Sequence, residues 1–182
     1  MHEAIRIIKE ISDEGMGLII GGGFKVNDLT ISDVKQQEYV KKLDLSYPQI
    51  RHFPYKIPFE ELPNFFRGAD LFLYPSSRDS CPNIVIEALS CGLPVVAEKT
   101  GSLPEIVGKG GVIIEPKEDD DLSPRDYTNL EEIPRVNTSA FIEAIEEVLA
   151  NREYYSKMAR KRAEELSYMN MGEQYLSVFN NL

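Results

Sequence analysis

The chain has 182 residues, a formal net charge of −10 and 42% hydrophobic residues. These values are typical of one soluble globular domain with a sizeable core. The negative charge argues against a nucleic-acid partner, because phosphate backbones attract basic surfaces. No apolar run has the length of a membrane span, and the chain does not open on a signal-peptide pattern.

Helices and strands alternate along the first two thirds of the chain. Apolar residues spaced three or four apart predict helices at 4–11, 31–43, 59–66, 83–91 and 102–107. Short apolar runs bounded by glycine or proline predict strands at 16–20, 49–53, 70–74, 94–97 and 111–114. This alternation predicts βαβ units, and hence a single Rossmann-like α/β domain over residues 1–182 with a mostly parallel sheet flanked by helices.

The last third of the chain has a different character. Residues 115–137 lack periodicity, contain three prolines and carry the acidic run Glu118–Asp121, which indicates an exposed acidic loop. Apolar spacing then predicts C-terminal helices over about 138–182, the second of which, Tyr154–Leu166, places a solvated charged face over a packed stripe. Cys81 and Cys91 are the only cysteines and lack metal-ligand spacing. We therefore expect reduced thiols, a cytoplasmic protein and no metal site.

Two acidic residues mark the most informative stretch. Asp79 and Glu87 lie eight positions apart across the junction between a predicted strand and a predicted helix. Asp79 falls on the loop that leaves the strand, and the following helix N-terminus offers free backbone N–H groups to an anion. Glu87 falls one turn inside the helix, where it can accept hydrogen bonds from vicinal hydroxyls. Two carboxylates with an anion site between them predict a receptor for a sugar, a diphosphate and a ribose.

This stretch resembles a known family. Tyr74–Asp79 and the residues through Val96, together with Thr100–Val107, resemble the donor-binding core of retaining glycosyltransferases of the GT-B type, and within it the group 1 or family 4 class. The hallmark of that class is an acid-x7-acid pair, usually two glutamates, which is Asp79 and Glu87 here. The resemblance is most specific from Asp79 to Val107 and extends over nearly the whole chain.

The resemblance implies a role for each matching residue. Asp79 would be the catalytic residue that orients the transferred sugar, although aspartate is one methylene shorter than the usual glutamate. Glu87 would hold the ribose, and the amides of Asn83 and Ile84, with Cys81 beside them, would hold the diphosphate. Glu87 could instead be an ordinary surface acid that favours the dipole of its helix.

Two further segments have competing interpretations. Lys56 follows a predicted strand at a position that resembles the family's base-binding loop, and it could equally be a solvated lysine. Gly21–Gly23 follows a strand but lacks the spacing of a phosphate-binding loop, which favours a plain turn. Pro82 replaces the family's usual glycine and removes one N–H donor, while also suiting the start of a helix.

The resemblance also predicts what lies outside this sequence. Relatives begin this domain with a strand and a Gly-Arg…Lys-Gly loop, whose two basic residues neutralise the donor diphosphate, and they carry an N-terminal acceptor domain. We expect the first strand of the domain to be absent, so that the strands at Leu18 and Leu71 flank a vacant central position. Those two strands should then pair with each other, with another chain, or with nothing.

The predicted function is transfer of a sugar from a nucleotide diphosphate sugar to a hydroxyl acceptor with retention, without a cofactor. The chain alone would be inactive. Its expected partners are the nucleotide sugar and an N-terminal domain or subunit, which could provide peripheral membrane association. A non-catalytic nucleotide-sugar-binding module and a subunit of a split transferase are alternatives. A GT-B-like epimerase or phosphorylase is a further alternative, although no context for a pyridoxal-binding lysine is visible.

Overall fold

The computed structural model describes residues 4, 7, 8, 10, 11, 17–21, 50–53, 57–76, 79–116 and 136–181. The strands are β1 Leu18–Gly21, β2 Ile50–Phe53, β3 Phe72–Tyr74, β4 Val95–Glu98 and β5 Gly111–Ile114. The helices are α1 Leu62–Arg67, α2 Asn83–Ser90, α3 Leu103–Val107, α4 Thr138–Ala150, α5 Arg152–Glu165 and α6 Tyr168–Asn180. Residues 4, 7, 8 and 10 are also helical.

The described strands form two parallel sheets. In the larger sheet, β4 lies between β3 and β5, with Val95 opposite both Phe72 and Gly111. In the smaller sheet, β1 pairs with β2, with Leu18 opposite Ile50. Parallel neighbours require crossover connections, which α2 and α3 provide for the larger sheet. The carboxyl ends of β3, β4 and β5 therefore meet at one edge, which is where ligands bind in open α/β sheets.

Helices cover both faces of the larger sheet. Alternate residues of β4 point to opposite faces, so Val95 and Ala97 join one cluster while Val96 joins the other. The first cluster packs under α2, α3 and α5, and its buried members are Val85, Leu89, Val95, Ala97, Leu103, Ile106, Val107, Ala159 and Ala163. The second packs under α4 and the first helical residues, and its buried members are Ile7, Val96, Ile114, Val136, Phe141, Ala144, Ile145 and Val148. This layering confirms the predicted Rossmann-like fold.

Local sequence explains where the helices begin and end. α2 starts directly after Pro82, and its end is followed by Gly92, which has a φ of +73°. Such a left-handed glycine closes a helix without a Cβ penalty. α4 starts after Asn137, whose side-chain oxygen accepts a hydrogen bond from the Ala140 N–H at 3.3 Å. That bond satisfies one of the free N–H groups of the first turn.

The predicted elements agree with the structure over the described residues, apart from their boundaries. The helix predicted from Phe59 begins at Leu62 and is preceded by a turn in which the Pro58 carbonyl accepts the N–H groups of Glu61 and Leu62. Pro63 has no N–H to donate to the Phe59 carbonyl, so regular helical bonding does not extend back to Phe59. The strand predicted at 70–74 begins at Phe72. The last helix begins at Tyr168 instead of about residue 170, because the preceding serine caps it.

Several predictions lie outside the described residues. They concern the helix at 31–43, Gly22 and Gly23, Lys56, and the acidic loop from residue 117 to residue 135. Among the described strands, β1 and β3 do not pair with each other and belong to separate sheets. No described helix is both long enough and apolar enough to cross a membrane.

Candidate functional site

The loop between β3 and α2 holds the carboxylate of Asp79 in a fixed position. The Tyr74 hydroxyl donates a hydrogen bond to Asp79 Oδ2 at 2.7 Å, and the Cys81 N–H donates to Oδ1 at 3.2 Å. Asp79 itself is half-buried. An ionised carboxylate has about four acceptor positions. The two bonds therefore orient Asp79 while leaving it able to accept hydrogen bonds from a ligand.

Tyr74 connects Asp79 to the core. Burial, followed by the hydrogen bond and charge of Asp79, raises the pKa of Tyr74 to about 12. The tyrosine is therefore a neutral O–H donor at physiological pH. Its ring centroid lies 5.9 Å from that of Phe72, which in turn lies 5.7 Å from that of Phe66 in an edge-on contact. A row of aromatic rings thus leads from α1 to the carboxylate, and Asp79 gains its support from that row.

The loop between β4 and α3 contacts the Asp79 loop directly. The Ser80 carbonyl accepts hydrogen bonds from the Ser102 N–H at 3.1 Å and from the Ser102 hydroxyl at 2.7 Å. Gly101 has a φ of +48°, and a Cβ at this position would lie 2.2 Å from the backbone oxygen of Asp79. Only glycine permits this approach. The two loops therefore form one structural unit at the carboxyl edge of the sheet.

The N-terminus of α2 offers free backbone donors beside this unit. Pro82 is buried at the N-cap and carries no N–H, while its carbonyl accepts the Val85 N–H at 3.1 Å. The amides of Asn83 and Ile84 lack a hydrogen-bond partner within the described part of the chain. The first-turn amides of any helix are left without intrahelical partners, and the helix dipole adds partial positive charge there. This end of α2 is therefore suited to an anion.

Glu87 lies one turn further along α2. It is four residues after Asn83, so both project from the same side of the helix, about 6 Å apart along its axis. The Glu87 carboxylate is half-buried and makes no hydrogen bond or ion pair within the described residues. Glu87 can accordingly accept two hydrogen bonds from a ligand that also reaches the first-turn amides.

Three residues at this edge were not predicted to be functional. Tyr74 and Gly101 are described above, and Glu98 is a carboxylate at the end of β4 that is only 2% exposed. The prediction ended that strand at Ala97, so the acid next to it went unnoticed. A charged residue directly after a fully apolar strand is the signal that could have identified Glu98.

Five of the six predicted site residues lie on one continuous segment. The segment is the Asp79 loop and the first turn of α2, and the residues are Asp79, Cys81, Asn83, Ile84 and Glu87. The Cys81 amide donates to Asp79, and its thiol is exposed and free. Lys56 lies outside the described residues. Within the described ranges, no group of His, Cys, Asp and Glu side chains could hold a metal ion.

Solved structures of known proteins identify the class of fold. Sucrose-phosphate synthase from Thermosynechococcus elongatus matches 99% of this chain with a TM-score of 0.65 and 21% identity. Anabaena HepE, solved in complex with UDP and glucose, matches 100% of it with a TM-score of 0.66 and 18% identity. The matches span 42% and 45% of those two proteins. The fold is therefore that of a part of the GT-B glycosyltransferases.

Sequence comparison identifies the family. Residues 1–132 match the family model described as Glycosyl transferases group 1, and the chain belongs to that family. This confirms the resemblance drawn from the Asp79–Val107 stretch.

Curated relatives match over shorter segments. O-antigen chain mannosyltransferase B of Escherichia coli is 37% identical over 83 residues, which is 46% of this chain and 22% of that protein. A D-inositol 3-phosphate glycosyltransferase of Corynebacterium jeikeium is 43% identical over 60 residues, 32% of this chain and 14% of that protein. The matched segments span less than a quarter of either relative.

Proposed function

We propose that the chain is the donor-binding part of a glycosyltransferase that moves a sugar from a nucleotide diphosphate sugar to a hydroxyl acceptor with retention. Membership of the group 1 family supports the reaction class. HepE was solved with UDP and glucose, which supports a nucleotide sugar as the donor. The localisation that we propose is the cytoplasm, because Cys81 and Cys91 are both free thiols.

One observation carries the proposal: Asp79, the free amides of α2 and Glu87 follow one another along a single edge of the sheet. Glu87 would accept hydrogen bonds from the two ribose hydroxyls. The Asn83 and Ile84 amides would donate to phosphate oxygens, aided by the helix dipole. Asp79 would accept from hydroxyls of the transferred sugar. In this scheme Cys81 is a positioning residue, since its amide is already engaged by Asp79.

Charge explains why the isolated chain should bind weakly. The chain carries a net charge of −10, and the proposed site contains two carboxylates. The α2 dipole is equivalent to only about half a positive charge, which cannot balance a diphosphate. We propose that basic residues outside this sequence complete the phosphate site, and that an N-terminal domain or subunit provides the acceptor. The reaction requires reacting atoms held in line, so the chain alone should not turn over. No metal ion is needed in this scheme.

Titration calorimetry with UDP and with GDP tests the role of Glu87. In the Glu87→Gln variant, the ribose hydroxyls would donate to a neutral amide oxygen instead of a charged carboxylate. Because charge-assisted bonds contribute roughly 1.5–3 kcal/mol, we expect UDP affinity to fall about ten- to a hundredfold. The matched control is Glu143→Gln, an exposed acid on α4, which covers the opposite face of the sheet. Equal affinity in both variants would refute the ribose role.

Activity assays separate the remaining alternatives. Glycosyl transfer by the purified chain alone would refute the proposal that it is incomplete. Transfer that appears only when an N-terminal half is added would favour a split enzyme. Nucleotide-sugar binding that never leads to transfer, in any longer protein that contains this chain, would favour a non-catalytic module.

A further inference from the structure

A groove between the C-terminal end of α2 and helix α5 collects positive charge. The cavity has a volume of about 500 Å³, and its charged lining consists of the four cations Arg67, Lys157, Arg160 and Lys161 and one acid, Glu164. Cavities that hold small ligands have volumes of about 300–1,000 Å³. The chain as a whole carries a net charge of −10, so this α2–α5 groove is opposite in sign to the rest of the chain and is suited to an anion.

The α2–α5 groove lies at the amino edge of the larger sheet, opposite the candidate donor site. The chain enters β3 after α1 and β4 after α2, so the last residues of both helices, Arg67 and Ser90, lie near the amino ends of those strands. The free amides at the start of α2 are about 12 Å away, at the other end of that eight-residue helix. A domain that provides the acceptor must bring it to Asp79 and would therefore face the carboxyl edge instead of this groove.

Two side chains of α5 already occupy the carbonyl groups at the end of α2. Arg160 Nη1 donates a hydrogen bond to the Ser90 carbonyl at 2.6 Å, and the Ser156 hydroxyl donates to the Gly92 carbonyl at 2.7 Å. Carbonyl groups at the end of a helix carry partial negative charge, which would repel an anion. The two bonds reduce that repulsion and hold α5 against α2, so the walls of the groove are in place before a ligand binds.

Two of the four cations are available to a ligand. Arg67 and Lys161 make no hydrogen bond or ion pair with any residue that the structure describes. The other two are paired with acids on α5, each four residues away, at 2.7 and 2.9 Å. Exposed pairs of this kind contribute little to stability, so a phosphate can take the place of the acid. Arg67 belongs to α1, so the groove brings together cations from two helices, which a solvated face of α5 alone would not do.

We propose that the α2–α5 groove binds a phosphate or diphosphate ester. The planar guanidinium of Arg67 can donate two parallel hydrogen bonds to a phosphate, and the ammonium of Lys161 adds a compact charge. The cavity also has room for the group that is esterified to the phosphate. A soluble phosphate ester and the headgroup of a phospholipid present the same chemistry to these cations. The groove is separate from the candidate donor site, so this inference does not rest on the proposed function.

The two cysteines allow the groove and the donor site to be monitored separately. Cys91 lines the groove, whereas the Cys81 amide contacts Asp79, and the chain has no other cysteine. Mass spectrometry gives the rate at which iodoacetamide alkylates each thiol of the 182-residue chain, in pyrophosphate and in sodium chloride of equal ionic strength. Pyrophosphate should slow the alkylation of Cys91 severalfold relative to sodium chloride. Equal rates for Cys91 in the two salts would overturn the proposal, whatever the result for Cys81.

Removal of the two available cations tests the groove directly. An exposed ionic contact changes affinity by about three- to fivefold, so the Arg67→Gln, Lys161→Gln double variant should need about ten times more pyrophosphate to protect Cys91. The matched control Lys109→Gln removes an exposed charge just before β5, at the same edge but outside the groove, and should behave like the parent chain. Protection that the double variant retains, or that the control loses equally, would overturn the proposal. Thermal melts verify that each variant is folded.

Vesicles distinguish the two sources of the phosphate. The parent chain and the double variant are sedimented with phosphatidylcholine vesicles, with and without phosphatidate. Sedimentation of the parent chain that requires phosphatidate and is lost in the double variant would assign the groove to a lipid headgroup. Protection of Cys91 by pyrophosphate without such sedimentation would assign it to a soluble phosphate ester.

Discussion

Replacing Gly101 by alanine tests whether the two loops at the carboxyl edge act as one unit. A Cβ at Gly101 would lie 2.2 Å from the backbone oxygen of Asp79 and 2.8 Å from that of Ser80. Both are backbone atoms, so rotation of a side chain cannot relieve the contact. The chain must instead move one loop away from the other. The displaced segment then includes the carboxylate that we propose contacts the sugar.

The magnitude follows from two separate costs. A non-glycine residue in the left-handed region costs roughly 1–2 kcal/mol, which applies because the φ of Gly101 is +48°. Separating the loops also breaks the hydrogen bonds from the Ser102 N–H and hydroxyl to the Ser80 carbonyl, at about 1 kcal/mol each. We therefore expect Gly101→Ala to lower the free energy of unfolding by about 3–4 kcal/mol, a large share of the stability of a typical domain.

Gly92→Ala is a matched control that separates these two costs. Gly92 also has a positive φ, +73°, but a Cβ there would lie 3.3 Å from the Ser156 hydroxyl oxygen, which belongs to a side chain that can shift. The control should therefore lose only the backbone component of roughly 1–2 kcal/mol. Urea unfolding measures both variants, and UDP titration should show weaker binding for Gly101→Ala alone. Equal losses of stability, with unchanged UDP binding, would refute the idea that the loops are coupled.

Two more predictions concern Tyr74 and the acid pair. The folded-state pKa of Tyr74 is about 12, above the ordinary 10.0, so its stabilising effect is complete below about pH 10 and is lost as pH rises through about 12. In thermal melts measured across that pH range, the Tyr74→Phe variant should therefore lose less stability with rising pH than the parent chain. An identical decline in both proteins would exclude a contribution of the Tyr74 hydroxyl to stability. A nucleotide sugar should bind more tightly than its nucleotide, and this gain in affinity should be as large or larger in Asp79→Glu than in the parent chain. Glu87→Asp, in contrast, should weaken nucleotide binding. The sugar role of Asp79 fails if Asp79→Ala leaves that gain unchanged.

The core of the larger sheet could be predicted closely from the sequence. β5 has the predicted bounds Gly111–Ile114, because a short apolar run between glycine and an acidic segment has few other ways to be buried. Boundaries that depend on hydrogen bonding were less accurate. Phe59 matches the spacing of α1 but lies in a turn and is 71% exposed. Pro63 has no N–H to donate to the Phe59 carbonyl, which interrupts the helical bonding at that point.

The spacing of the site residues could be predicted, whereas their contacts could not. Asp79 and Glu87 are eight positions apart, on the loop that follows β3 and in the first turns of α2, and this spacing places both acids at one edge. The bond from Tyr74 to Asp79 depends on how the loop turns back towards β3, and the Gly101 contact depends on two loops meeting in space. Neither is encoded in local periodicity. Periodicity likewise predicts that α6 is amphipathic without indicating what covers it.

The anchoring and the reach of the acid at position 79 favour different side chains. Aspartate accepts hydrogen bonds from both Tyr74 and Cys81, and these bonds fix its orientation. A glutamate reaches about one methylene further toward a sugar but must move its oxygens away from at least one of those donors.

A double-mutant cycle between Asp79→Glu and Tyr74→Phe therefore separates the two effects. If anchoring dominates, Tyr74→Phe lowers sugar-dependent affinity in the parent chain and has little effect in the Asp79→Glu background. If reach dominates, Asp79→Glu improves affinity by the same factor with and without Tyr74→Phe, and Tyr74 is then not a positioning residue for the sugar.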